Sequence, residues 1–510
     1  MSKDSAVDMK DVELNELDLE KQPMTGGEVA TGGTEKNGFV KVEEADVKFT
    51  GLSKEELMKV AGTPGWVRTR WILLVLFWLG WLGMLAGAIV IIVQAPRCKP
   101  IPKMDWWNEG PIYQIWDVDA FSGADGLKGL EDKLDSLGQL KVKGLVLGPL
   151  HTVQSDQPET VDFKSLAPEI GTKEQFESFV GKAHKKGMSV VLDMTPNYRG
   201  SQPWFNEVND VTLTAEKLKD AIPYWFQIGV DGIQVAGLDQ VSSEAPAAWT
   251  SLREVIQANR TEGEKNKALI GLTSKTSGID VAGILEDSGV DLILSGVLKS
   301  GESGSARAQD IQQLYIAQNQ TSLAWSLGGR NDGHLATLVG AKLVRLYQLL
   351  LFTLPGTPVF SYGDEIGLME QGGTPFPKML WDSSEPEEEK NETLKSEREQ
   401  RLSFRSFFKT LSDLRGKERS LLHGDFLSLH NDTTSLAFLR QWDQSGRYIA
   451  AVNWGDVATT LRLVHPDLPA EATVELSTDP IKLVPESSAN LGELVLEGQQ
   501  AVLLQFPFTD

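Results

Sequence analysis

Leu354-Pro355-Gly356-Thr357-Pro358-Val359-Phe360-Ser361-Tyr362-Gly363-Asp364-Glu365-Ile366-Gly367 places a short apolar run between chain-turning residues. Pro355, Gly356 and Gly363 punctuate it, so Pro358–Tyr362 reads as a buried strand, too short to be a helix. Seven earlier segments repeat the pattern: Ile112–Trp116, Gly144–Leu147, Ser189–Asp193, Gly232–Val235, Ala268–Leu272, Asp291–Ser295 and Ser322–Leu327. Amphipathic stretches of helical spacing lie between them. Eight such strand–helix units in some 300 residues suit an α/β fold, a closed (β/α)8 TIM barrel. From about residue 418 the helical pattern stops. Ser435–Arg440, Tyr448–Asn453, Thr459–Val464 and Ala501–Phe506 then alternate apolar and polar residues between turns, as in a small all-β antiparallel domain.

Upstream of the barrel, Trp71 to Val93 is a run of 23 residues without a charge. At about 1.5 Å per residue it is long enough for a bilayer core with slight tilt. Seventy residues precede it, so it reads as an uncleaved transmembrane anchor in a single-pass protein rather than a leader. Gly80, Gly83 and Gly87 share one face of that helix. They are either a seat for a second membrane helix or the glycine content usual in such segments, and a partner helix is the favoured reading. Residues 1–50 carry 12 acidic and 6 basic side chains and few aromatics, the composition of a disordered cytosolic tail. Ser53 with Glu56 reads as a capping box that opens a short helix in the juxtamembrane segment 51–70.

The formal charge of −22 excludes nucleic acid as the partner, because phosphate binding needs a dense basic surface. One cysteine, Cys98, rules out internal disulfides and cysteine-based zinc sites. The six histidines show no close ligand spacing, so neither metal nor cofactor is expected. Glycosylation acceptors at Asn259, Asn319, Asn391 and Asn431 all follow the membrane run. They place the N terminus in the cytosol and the C terminus outside, where the flanking basic residues alone leave orientation open. Cys98, just beyond the span, then faces an oxidising exterior. A leftover cysteine there points to an interchain disulfide or a reactive thiol, with a free or acylated thiol as the plain alternative.

The Leu354–Gly367 run is nearly the eighth-strand signature of the α-amylase superfamily of glycoside hydrolases, which the chain resembles over roughly residues 105–510. Trp107 to Gln114, with Leu127-Lys128-Gly129-Leu130 and Lys133-Leu134-Asp135, looks like that family's first strand and helix. Retaining hydrolysis needs a carboxylate nucleophile and a carboxylic acid about 5–5.5 Å apart. The resemblance assigns the nucleophile to Ala236, the acid to Leu272, a conserved arginine to Gln234 and a conserved histidine to Tyr198. None of these side chains can do the corresponding chemistry, so no catalytic residue is expected. Asp193 and Asn197 survive from the third-strand motif as structural relics. The family's inserted subdomain after the third strand is missing, since helix-like sequence resumes by about Thr214.

A glycosidase-like ectodomain, one anchor helix and one juxtamembrane cysteine together resemble the heavy chains of heteromeric amino-acid transporters. Leu14-Asn15-Glu16-Leu17, Pro64-Gly65-Trp66-Val67-Arg68-Thr69-Arg70-Trp71 and Phe77-Trp78-Leu79-Gly80-Trp81-Leu82-Gly83-Met84-Leu85-Ala86-Gly87 are similar to the 4F2 type of that family. The resemblance implies that Cys98 bonds a multi-span light chain, that this subunit escorts it to the plasma membrane, and that integrins associate through the membrane and tail regions. The organisation expected is a tail 1–50, a juxtamembrane segment 51–70, an anchor 71–93, a neck 94–104, a barrel 105–417 and a β domain 418–510. Two other readings exist. One is a membrane-anchored α-glucosidase using displaced carboxylates among Asp193, Asp239 and Asp332. The other is an adhesion or receptor ectodomain.

Overall fold

A computed structural model describes residues 53–94, 98–123, 125–258, 265–299, 304–370, 376–381 and 392–508. The acidic tail and the acceptors Asn259 and Asn391 lie outside them. The chain divides into two compact units, residues 1–96 and 97–510.

In the first unit, α1 (Lys54–Ala61) opens on the Ser53–Glu56 capping box, with both reciprocal hydrogen bonds formed. It stops at Gly62, and α2 (Pro64–Gln94) begins on Pro64, where the missing N–H costs nothing at a helix start. That start lies ahead of the uncharged run 71–93, so the helix takes in residues 64–70 of the juxtamembrane segment. Thr69 helps by donating its hydroxyl to the Gly65 carbonyl at 3.0 Å. Among the described residues, α2 is the one helix long and apolar enough to cross a membrane. Its side chains are exposed along its length.

The second unit contains a closed barrel of eight parallel strands: β1 (Ile112–Ile115), β2 (Gly144–Leu147), β3 (Ser189–Asp193), β4 (Gly232–Ala236), β5 (Ala268–Leu272), β6 (Leu292–Leu294), β7 (Leu323–Trp325) and β8 (Thr357–Ser361). Period-two alternation decides which way each side chain faces. Ile112, Val146, Val191, Ile270, Leu292, Ala324 and Val359 fill the interior with Trp106 and Trp107, which precede β1. Tyr113, Leu145, Val190, Ile233, Leu269, Ile293 and Phe360 face the surrounding helices. These include α3 (Lys173–Lys185), α4 (Val208–Ile228), α5 (Pro246–Gln257), α6 (Gly278–Ser288), α7 (Gly304–Ala317) and α8 (Val344–Thr353). In α3, Phe176, Phe179, Val180 and Ala183 form the buried stripe, at helical spacing.

The short link from β3 to α4 leaves no room for an inserted subdomain, as the sequence indicates. The helix itself starts at Val208, ahead of Thr214. A hairpin of His151–Gln154 and Gln157–Leu166 follows β2 and is not evident in the sequence. Its second strand exposes Gln157, Glu159 and Lys164, so no apolar run announces it.

A long helix, α9 (Glu392–Lys417), leads to a short one at Arg419–Leu422 and then to the terminal sheet. That sheet comprises β9 (Asp425–Asn431), β10 (Ser435–Gln441), β11 (Arg447–Asn453), β12 (Glu471–Ser477), β13 (Ser488–Asn490) and β14 (Gln500–Phe506). Their order is β9-β10-β11-β14-β12-β13. One face, with Leu436, Phe438, Ala450, Val452 and Leu503, joins the barrel's core. The other, with Ala437, Leu439, Ile449, Val502 and Leu504, packs a separate core of its own.

Candidate functional site

In a TIM barrel, chemistry sits where the strands end, at the C-terminal face. Ala236 and Leu272 are register partners there, at the last positions of β4 and β5. The Ala236 N–H donates to Thr195 Oγ1 at 3.0 Å and its carbonyl accepts from Trp204 Nε1 at 2.8 Å. Its side chain is one methyl. Leu272 packs against the barrel's interior apolar layer. Two adjacent positions at this mouth therefore carry hydrocarbon.

Behind them a chain of neutral amides crosses the barrel. Gln114 Nε2 on β1 donates to Gln234 Oε1 on β4 at 3.0 Å, and Gln234 Nε2 donates to Asp193 Oδ2 on β3 at 3.1 Å. Asp193 Oδ1 accepts from the Thr195 N–H and hydroxyl at 2.9 and 2.6 Å. Gln234 is thus a spacer that satisfies two buried neighbours without bringing a charge. Burial raises the Asp193 carboxyl above the ordinary carboxylate range, against the lowering effect of its hydrogen bonds and of Arg330.

Arg330 lies at the same mouth. One of its nitrogens donates to the Trp116 carbonyl at 2.9 Å, and its guanidinium sits 5.1 Å from the Tyr198 ring and 4.8 Å from that of Phe376. Tyr198 turns its hydroxyl to the His151 carbonyl at 2.9 Å, which ties it to the hairpin. Asn197 is buried and holds the turn of that hairpin: Asp156 N donates to Oδ1 at 3.0 Å, and Nδ2 donates to Asp156 Oδ1 at 2.9 Å. The other carboxylates of interest are engaged separately. Asp239 accepts from Thr273 Oγ1 at 3.1 Å, and Asp332 is paired with Lys299. Sequence reasoning missed Arg330, Gln114 and Thr195. Gln114 alone left a signal, as a polar residue inside an otherwise apolar strand pattern.

Asp193→Asn should change the ectodomain's stability by no more than about 1 kcal/mol, read from thermal melting at neutral pH. The amide oxygen keeps both Thr195 bonds, and turning over the Gln234 and Gln114 amides restores pairing from Asp193 to Gln114, at the cost only of the long 3.4 Å bond that Trp116 Nε1 donates to Gln114 Oε1. The variant also removes a desolvated carboxyl. A loss of several kcal/mol would show instead that Arg330 needs the charge.

Cys98 is exposed. Asn319 and Asn431 are exposed too, and Asn319 Oδ1 accepts the Thr321 N–H of its own acceptor triplet at 3.1 Å. On α2, a side chain built at Gly80, Gly83 or Gly87 would meet nothing within 4 Å, so that face is open.

Comparison with known proteins gives the wider setting. Residues 38–113 match the model for the Solute carrier family 3 member 2 N-terminus, and residues 117–255 match that for the Alpha amylase, catalytic domain. The chain is 46% identical over its whole length to the whole amino acid transporter heavy chain SLC3A2 of Oryctolagus cuniculus. It is 44% identical, again with full coverage of both, to the Rattus norvegicus protein of that name. Among solved structures it resembles an Anoxybacillus α-amylase at a TM-score of 0.61 and 17% identity, covering 79% of this chain and 99% of that one. The last likeness speaks for the fold alone.

Proposed function

Since the chain belongs to the SLC3A2 family of amino acid transporter heavy chains, we propose that it is the non-catalytic escort subunit of a heteromeric amino-acid transporter. In this reading Cys98 is disulfide-linked to a multi-span light chain that carries the amino acid, and the heavy chain delivers that partner to the plasma membrane and stabilises it. The observation that carries the proposal is the full-length 46% identity to a transporter heavy chain. The residues support it from two sides. Between Trp71 and Val93 no ionisable side chain lines the anchor, so one such helix offers a polar solute no path and transport needs a partner. At the barrel mouth, the methyl of Ala236 and the side chain of Leu272 supply neither nucleophile nor proton donor.

The same reading makes the chain a type II protein, with the N terminus in the cytosol and the ectodomain outside. The exposed Asn319 and Asn431 are then glycan acceptors, as Asn259 and Asn391 are by sequence, and the open Gly80–Gly83–Gly87 face is the contact for a partner helix. Asp193, Asp239 and Asp332 each have partners of their own, which gives no support to a glucosidase using displaced carboxylates.

Cells expressing the chain should show, on a non-reducing gel of membranes, a heavier species that collapses to the monomer on reduction. Cys98→Ser should abolish it while leaving the monomer band, and mass spectrometry of the heavier species should identify a multi-span protein. A parent chain that runs only as monomer, or a heavier band that persists in Cys98→Ser, would defeat the proposal.

A further inference from the structure

In the neck that follows the membrane segment, Lys99 is held to the terminal sheet. Lys99 donates its backbone N–H to Asp443 Oδ2 at 3.1 Å, and its Nζ meets Asp425 Oδ2 at 2.9 Å. The same ammonium lies 4.5 Å from the centre of the Trp442 ring. The seat for these contacts is well built. Asp425 opens β9, and Trp442 and Asp443 lie in the turn between β10 and β11. Trp442 is only 4% exposed and packs edge-on against His423 at 5.6 Å. Asp443 takes a left-handed backbone at φ 44, in a turn closed by the Ser445 N–H on the Trp442 carbonyl at 2.9 Å. Lys99 therefore grips a side chain that is fixed in a core and a turn that is closed on itself.

We infer that Lys99 is a clip that seats Cys98 against the Trp442–Asp443 turn. The thiol is thereby presented from one position, and the partner's cysteine-bearing outer segment covers that turn. This rests on the reading of Cys98 as the bridging cysteine. The geometry is restrictive, because a disulfide brings its two Cα atoms to within about 7 Å, and Cys98 is one residue from the pinned Lys99. A partner cysteine that reaches Cys98 must therefore bring its own backbone alongside the turn. An unpinned neck would spread the thiol through a larger volume and lower its effective concentration at the partner. The bridge forms as the two thiols surrender two electrons and two protons to a disulfide-bearing oxidoreductase, which leaves as its dithiol. The clip alters where the sulfur is and leaves that chemistry unchanged. Lys99 is a positioning residue, and each contact alone is modest because the ion pair is about half exposed (45% and 52%). Together they should hold the clipped neck over the free one by roughly three- to tenfold.

The test uses the full-length chain in detergent micelles without a partner, with a maleimide spin label on Cys98, its single cysteine. The parent should give an immobilised spectrum and Lys99→Glu a mobile one, at unchanged melting temperature. Adding Asp425→Lys to Lys99→Glu should restore most of the immobilised signal by re-forming the pair with reversed charges. In pulse-labelled cells the disulfide-linked species should form several-fold more slowly with Lys99→Glu and recover with the double variant. A label equally mobile in parent and Lys99→Glu, or a variant that links at the parent's rate, would overturn the clip. An immobilised parent label with no linked species in cells would leave the clip standing. That result would overturn the partner reading and the docking face with it.

Discussion

Replacing Arg415 by methionine should cost the ectodomain about 3 kcal/mol of stability, because it leaves buried carbonyls without donors. Arg415 reaches in from α9 and is 2% exposed. One of its two terminal nitrogens donates to the carbonyls of Phe352 and Leu354 at 2.6 and 3.2 Å, and the other terminal nitrogen donates to the carbonyl of Gly356. These groups belong to the last turn of α8 and its exit, where a helix has carbonyls with no partner of its own and carries partial negative charge. Arg440 from β10 completes the arrangement, donating to Thr353 O at 2.6 Å and Gly424 O at 2.9 Å. Two cations from two elements thus close one helix end, and no carboxylate is among the partners of these bonds. Burial, then the nearby Arg440, pulls Arg415 down to about 9, so it still carries its charge at neutral pH.

The chain leaving that clamp is the Leu354–Gly367 stretch itself. Gly356 has φ 114, and a Cβ there would lie 2.6 Å from the Leu323 carbonyl, so only glycine fits the turn into β8. Arg415→Lys should recover only part of the loss, since an ammonium cannot fork across three carbonyls. Chemical denaturation of the ectodomain at neutral pH reads both variants. A methionine variant within about 0.5 kcal/mol of the parent would show that water replaces the guanidinium, and the clamp would not be needed.

What the sequence reveals follows from the range of the interactions involved. The barrel strands are legible because each is a short apolar run set between chain-turning residues, and Ala236 and Leu272 are legible because a motif surrounds each. The amide chain through the barrel joins residues far apart in sequence, Gln114 to Gln234 to Asp193, so no local pattern announces it. Arg415 stands in the last turn of α9 beside Lys417, where basic residues ordinarily lie in water and favour the helix end. Nothing local separates it from an exposed arginine. Arg330 follows two glycines in a loop, and its place over Tyr198 and Phe376 depends on how three separate segments meet. Lys99 reads as one more charge in a short neck.

At the end of the barrel away from the Ala236–Leu272 mouth, Asp231→Ala should cost about 2–3 kcal/mol, in the range for removing the acceptor from a partly screened charged cluster. Asp231 precedes β4, and its side chain is 5% exposed. Its Oδ2 accepts the Val190 N–H of β3 at 2.9 Å and meets His184 Nε2 of α3 at 2.6 Å. Its Oδ1 faces Lys265 at 3.2 Å, on the approach to β5. One carboxylate therefore ties together the entrances of three strands and a helix. The same device recurs two strands on, where Asp291 Oδ2 accepts the Leu269 N–H at 2.9 Å. In both cases the side chain supplies the acceptor for an N–H where the next strand's ladder has not yet begun. Asp231→Asn should lose about half as much, since its amide oxygen still accepts from Val190 while its NH2 group faces the cations.

The two variants also differ from the parent in acid. Burial alone would raise the Asp231 carboxyl, but the His184 hydrogen bond and the Lys265 charge together hold it below its ordinary value of 3.8. A depressed carboxyl contributes stability that is present above the unfolded value and lost as pH falls through the folded one. The gap between parent and Asp231→Asn melting temperatures should therefore narrow as pH falls below about 4. Raising the salt to about 1 M should shrink the part due to Lys265, which is 44% exposed, and spare the Val190 bond. A gap that widens below about pH 4 would mean that Asp231 folds protonated, and its role would then be the hydrogen bond alone.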